Sequence, residues 1–196
     1  MLDRIMGVIT LKAPVYKAIA EDKNATSQAA IIVVITTLIA GFFSGLVTVN
    51  PQTGTTSASI VGAILGAIFG VIFGLIAWVV AAWILQFVAK MFGGKTDTGE
   101  MMRVTGYVQI FGLVGVLNVL ALAGTALVCI TSLIGLVIAI LRLIGYVIGV
   151  REAGEFSTGN AVITAIIAAI VQFIIIAIGT GIVAAIGLAM GMVAGS

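Results

Sequence analysis

Between residues 62 and 82, glycines stand at Gly62, Gly66, Gly70 and Gly74, and the same four-residue step continues through Trp78 to Ala82. Residues four apart share one face of a helix. The neighbours are Ile, Leu, Phe and Val, so the stretch predicts a helix that is apolar all round with one groove of missing side chains. Such grooves bring backbones close in lipid, where association depends on tight packing because lipid tails are as apolar as leucine. The face suits a dimer contact or packing within the chain. With several helices to pack, internal packing is expected, and a homo-oligomer is the alternative.

Composition extends this reading to the whole chain, because 62% of the 196 residues are hydrophobic, 8% are charged and the mean hydropathy is +1.34. Soluble domains carry about 25% charged residues, so an all-α, polytopic membrane protein is predicted, in a single domain over 1–196. The net charge of +2 gives no reason to expect nucleic acid. Cys129 is alone and histidine is absent, which excludes an intramolecular disulfide and leaves no metal cluster; no cofactor is expected. Asp3, Arg4, Lys12 and Pro14 interrupt the first apolar residues, so no secretory signal peptide is predicted.

In chain order, 1–24 reads as a segment of short interfacial helices. Leu2, Ile5, Met6 and Ile9 share a helical face suited to a membrane surface, and a second short helix from Pro14 would turn Tyr16, Ile19 and Ala20 to the bilayer. Asn24 is the predicted cap of a first span over 25–49. A charge-free turn with Asn50, Pro51, Gln52 and Gly54 leads to a second span, 59–89. The apolar run there reaches Phe92, longer than a hydrocarbon core of about 30 Å requires, so part projects into water, with Trp83 as the interface marker. The most polar stretch, Lys90 to Arg103, is a loop entering a helix capped by Thr96 or Thr98, with Asp97 and Glu100 in its first turn. Further spans follow at 104–122, 126–150 and 161–192, making a five-transmembrane-helix bundle. The last carries Gly187, Gly191 and Gly195 at four-residue spacing.

This plan places eight of the nine basic residues and all seven acids on the side of the N-terminus, and Arg142 in the half of the fourth span nearest that side. The positive-inside rule then makes the N-terminus cytoplasmic and the C-terminus external. The Asn24 sequon would lie on the wrong side for glycosylation.

No constellation here meets the requirements of catalysis: no histidine, no acid within a span and no nucleophile motif. Gly93, Gly94, Lys95 and Thr96 lack the upstream glycine and strand of a phosphate loop. Arg142 is the sharpest residue, since a cation about 12 Å inside the predicted end of its span is expensive unless compensated. Either it snorkels to the surface, or it joins Tyr146, one turn away, and Tyr107, Gln109 or Gln86 on neighbouring helices in a polar pocket, with Asp97 and Glu100 at its mouth. Asn118 and Gln172, single intramembrane amides, are expected to tie helices together.

Phe92, Gly93, Gly94, Lys95 and then Arg103, Val104, Thr105, Gly106, Tyr107 resemble a region of the Yip (Ypt-interacting protein) domain family. Ala13, Pro14, Val15, Tyr16 with Ala18, Ile19, Ala20 are similar to that family's segment before the first span. Gly149, Val150, Arg151, Glu152, Ala153 with Phe156, Ser157, Thr158, Gly159, Asn160, Ala161 are similar to its last loop. The chain is most similar to minimal prokaryotic-type members, and a prokaryotic plasma membrane is the implied location. The resemblance implies membrane organisation or trafficking, with membrane lipids and a cytoplasmic protein, such as a small GTPase, as partners. The residues themselves leave two readings open: a non-enzymatic membrane organiser or adaptor, and a transporter or lipid-handling protein with a pocket around Arg142.

Overall fold

A computed structural model describes residues 1–49, 55–171 and 174. The helices are α1 (Leu2–Ile9), α2 (Ala13–Glu21), α3 (Ala25–Leu46), α4 (Ile60–Met91), α5 (Thr98–Val108), α6 (Thr125–Gly154) and α7 (Thr158–Val171). From α5 the chain continues without a break into 3₁₀ winding over Gln109–Ala123. Four helical stretches are long and apolar enough to cross a membrane: α3, α4, α5 with its 3₁₀ continuation, and α6; α7 is a shorter apolar helix. The protein is an all-α bundle of membrane type. The predicted turn at 50–54, the predicted fifth span beyond Val171, Gln172 and the last three glycines lie outside the described residues.

The first span stops earlier than expected. Val47–Val49 leave the helix and pair antiparallel with Thr56–Ala58, Val47 opposite Ala58, so a two-stranded hairpin joins α3 to α4. Ser59 then caps α4, its hydroxyl accepting from the Gly62 amide at 3.0 Å. α3 and α4 pack antiparallel through glycine. A Cβ on Gly62 would meet the Gly45 carbonyl oxygen, one on Gly66 the Gly41 oxygen, and one on Gly70 would lie 2.8 Å from the Thr37 oxygen. Gly74 faces the Thr37 side chain, with its own Cβ position 2.5 Å from Cγ2.

The helix that opens the most polar of the four long stretches is buried along most of its length. α5 has Met101, Arg103, Val104, Thr105, Gly106, Tyr107 and Val108 all buried, with α2, α3, α4 and α6 around it. It begins with a reciprocal cap: the Asp97 carboxylate accepts from the Glu100 amide at 2.7 Å, and the Glu100 carboxylate accepts from the Asp97 amide at 3.0 Å. Asp97 thus takes the capping position expected of Thr96 or Thr98, because aspartate followed three residues later by glutamate satisfies two amides at once.

Two further expectations are corrected at the N-terminus. Asn24 makes no side-chain cap for α3; its backbone has helical angles and its carbonyl accepts from the Ser27 hydroxyl at 3.0 Å. Tyr16, Ile19 and Ala20 are buried against protein, not turned to the bilayer. They lie under α1 and against α5 and α6, with the Tyr16 hydroxyl donating to the Val8 carbonyl at 3.0 Å. An apolar face says only that it avoids water, and protein meets that need as well as lipid.

Candidate functional site

Arg142 lies twelve residues before the end of α6 at Gly154, roughly 18 Å along its axis. Its Nη2 donates to Gln109 Oε1 at 2.5 Å, and among the described residues it has no other hydrogen bond and no ion pair. Gln109 sits where α5 gives way to 3₁₀ winding, a place that turns its side chain toward α6.

The pair borders a cavity of about 460 Å³. Its walls come from Thr37 of α3, Gly74, Ala77, Trp78 and Ala81 of α4, Arg142 and Tyr146 of α6, and Ala165, Ala168 and Ala169 of α7. The space exists because glycine and alanine stand where larger side chains would fill it. Trp78 gives a flat wall, and its indole N–H is held from behind by the Met102 carbonyl at 3.0 Å and the Thr105 hydroxyl at 3.2 Å. One guanidinium with a single neutral partner, beside a cavity lined mainly by alanine, leucine and aromatic side chains, can offer charge-assisted hydrogen bonds to an anionic group on a molecule with an apolar body.

Of the residues expected to gather at Arg142, Gln109 and Tyr146 do so. Tyr107 does not: its hydroxyl donates to Gln28 Oε1 on α3. Gln86 accepts from the Thr98 hydroxyl at 2.5 Å, and Asp97 and Glu100 are engaged in the α5 cap. Spacing along the helices put all of them at plausible heights, but rotation about each axis, which packing sets, divides them. Sequence reasoning placed Trp78 on the glycine face without assigning it to the pocket; Trp83, the expected interface marker, is exposed and stacks on Phe87. Trp78's place one step after Gly74 in the four-residue series is the signal that the two share the pocket wall.

A second cavity, about 520 Å³, lies toward the hairpin end between α3, the 3₁₀ segment and α6, with Ser44, Asn118, Thr131 and Ser132 on its walls. Both serine and threonine of α6 return their hydroxyl protons to the Val128 carbonyl, at 2.7 and 3.0 Å.

The motif 103–107 becomes interpretable at the opposite, charged end. Arg103 Nε donates to the Ala20 carbonyl at 2.8 Å, capping the end of α2 from a neighbouring helix, where the dipole favours a cation. Gly106 admits Ala29 and the Trp78 ring, which would lie 2.7 and 2.9 Å from an added Cβ. Val104 lies against Gly149, and the Lys95 amide donates to the Gly154 carbonyl at 3.0 Å. Beside them Arg4 and Asp22 pair at 2.8 Å; the hydrogen bond from Arg4 holds the Asp22 carboxyl below its usual range, and the same bond raises Arg4.

Residues 6–180 match the family model described as Yip1 domain. No curated protein and no solved structure matches the chain.

Proposed function

The chain belongs to the Yip1 domain family, and from that premise we propose that it is a non-enzymatic membrane organiser that holds an anionic lipid in the Arg142 cavity. The observation that carries the proposal is the guanidinium itself: deep in an apolar helix, bonded to one neutral amide, and open to a cavity whose walls are mostly apolar. A phosphate would supply the charge that no described side chain supplies, and acyl chains would fit the apolar walls. In this reading the charged end faces the cytoplasm, since the described residues toward the hairpin end carry no charged side chain.

Native mass spectrometry of the wild type, Arg142→Ala and Arg142→Lys tests it. Retained anionic phospholipid should be lost in the alanine variant and partly kept in the lysine variant, which has charge without the bidentate fork. Equal retention in all three would remove the proposal. A second reading, an adaptor for a Ypt/Rab-type GTPase, follows from family membership. It is favoured by the pairing of the two loops at the charged end, where Lys95 bonds Gly154 and Asn160 Nδ2 donates to the Phe92 carbonyl at 3.4 Å, forming one continuous surface. Titration with a nucleotide-loaded GTPase of that type, showing binding that loop substitutions abolish, would support it.

A further inference from the structure

α1 is apolar on two opposite faces. The inner one is accounted for: Gly7 and Val8 are buried, Val15 lies against Gly7, Tyr16 bonds the Val8 carbonyl and Arg4 pairs with Asp22. The outer one carries Leu2, Met6 and Ile9, which are 76%, 58% and 41% exposed, and no described residue covers it.

This outer face is held in place. The corner after α1 is a Schellman turn, in which the Leu11 amide donates to Val8 and the Lys12 amide to Gly7, at 3.0 and 2.9 Å. Leu11 occupies the left-handed position, φ 55°, where glycine is usual and leucine is strained. Its side chain reaches Gly145 of α6, 3.5 Å from that residue's Cβ position, beside the Tyr16 hydroxyl at 2.8 Å. This partly buried leucine pins the end of α1 to α6.

The contact also sets its depth. Gly145 lies six residues before Arg151, the charged residue that closes the apolar run of α6, and is therefore roughly 9 Å inside it. Helices that lie in the interface bury their apolar faces about 5–10 Å into the headgroup and acyl boundary. Lys12 and Lys23 are exposed around the same unit, as suits anionic headgroups, while the exposed Lys17 pairs with Glu21 at 3.9 Å.

We propose that the outer face of α1 is a lipid-docking surface: Leu2, Met6 and Ile9 sit among the acyl chains of the leaflet at the charged end, and α1–α2 forms a fixed wedge in that leaflet. A second copy is a poorer occupant. Three side chains on an eight-residue helix fall well short of the roughly 1,200 Å² that a stable interface buries. The proposal is independent of any lipid at Arg142.

The test uses the full chain with Cys129→Ser and single cysteines Met6→Cys and Ile9→Cys, labelled with an environment-sensitive fluorophore in nanodiscs of phosphatidylcholine and phosphatidylglycerol. Lys95→Cys, at an exposed loop position, is the aqueous reference. Labels at 6 and 9 should be quenched by spin-labelled phospholipid and shielded several-fold from iodide relative to 95. Iodide quenching at 6 and 9 equal to that at 95 would overturn the proposal by placing the face in water. Efficient disulfide cross-linking between two Met6→Cys chains would overturn it in favour of a second copy. Two labelled positions with wild-type melting temperatures ensure that a misfolded variant is not read as either result.

Discussion

The hairpin end of the α3–α4 pair and its charged end are held by different physics. Toward the hairpin, backbone meets backbone: Gly41 and Gly45 face Gly66 and Gly62, and no side chain mediates the approach. At the charged end the same two helices meet α5 instead, through a tryptophan N–H and a tyrosine hydroxyl, while a buried arginine of α5 reaches α2. Dispersion alone suffices for the first, because removing side chains lets many backbone atoms touch. The second needs donors and acceptors matched, since a buried polar group left unpaired costs about 1–3 kcal/mol. The seam therefore tolerates no added volume, and the hub tolerates no lost partner.

The largest effect should come from adding volume to the seam. Gly66→Leu would drive a side chain into the Gly41 carbonyl and should cost about 1–3 kcal/mol or more, read as a lower melting temperature in detergent. Gly135→Leu on α6, where no atom lies within 4 Å of a Cβ, should be nearly neutral. Equal effects would erase the distinction between the two glycines.

Next comes the loss of a partner from the hub. Arg103→Ala leaves the Ala20 carbonyl without its cation and should cost roughly 1.5–3 kcal/mol. Arg103→Lys should restore part of that. An alanine variant as stable as wild type would show that the end of α2 needs no cap from α5.

Trp78→Phe is gentler. It keeps the ring in the cavity wall but removes the N–H that reaches Met102 and Thr105, at about 1 kcal/mol. A loss as large as that of Trp78→Ala would mean that hydrogen bonding, not ring packing, fixes the wall.

The smallest effect is pH dependence at the N-terminus. Because Arg4 depresses the Asp22 carboxyl, the pair's contribution is present above the ordinary aspartate value near about 4 and is lost as pH falls through the lower folded value. Tyr16 works in the other direction: burial raises its phenol, so its contribution holds below about pH 10 and fades above that. The protection factors of α1–α2 amides, taken relative to intrinsic exchange at each pH, should fall at both extremes and stay flat between them, whereas Asp22→Asn should abolish the acid limb alone.

Composition and hydrophobic run length carried the helical membrane class, because a bilayer offers backbone groups no partners and obliges each spanning segment to satisfy its own. The glycine face was equally legible: four-residue spacing survives any packing. Rotation about the helix axes was not legible. α4 is apolar on every side, so no polar face marks which residues meet protein and which meet lipid. That is why the sequence does not single out Gly41 and Gly45 as the partners of the seam, or Trp78 as a wall of the pocket. It is also why spacing offered Arg142 several polar neighbours at similar heights, while packing delivered Gln109 and sent Tyr107 to Gln28. In water, polarity contrast encodes which face is buried; in lipid that contrast vanishes, and only the fit of neighbouring helices decides.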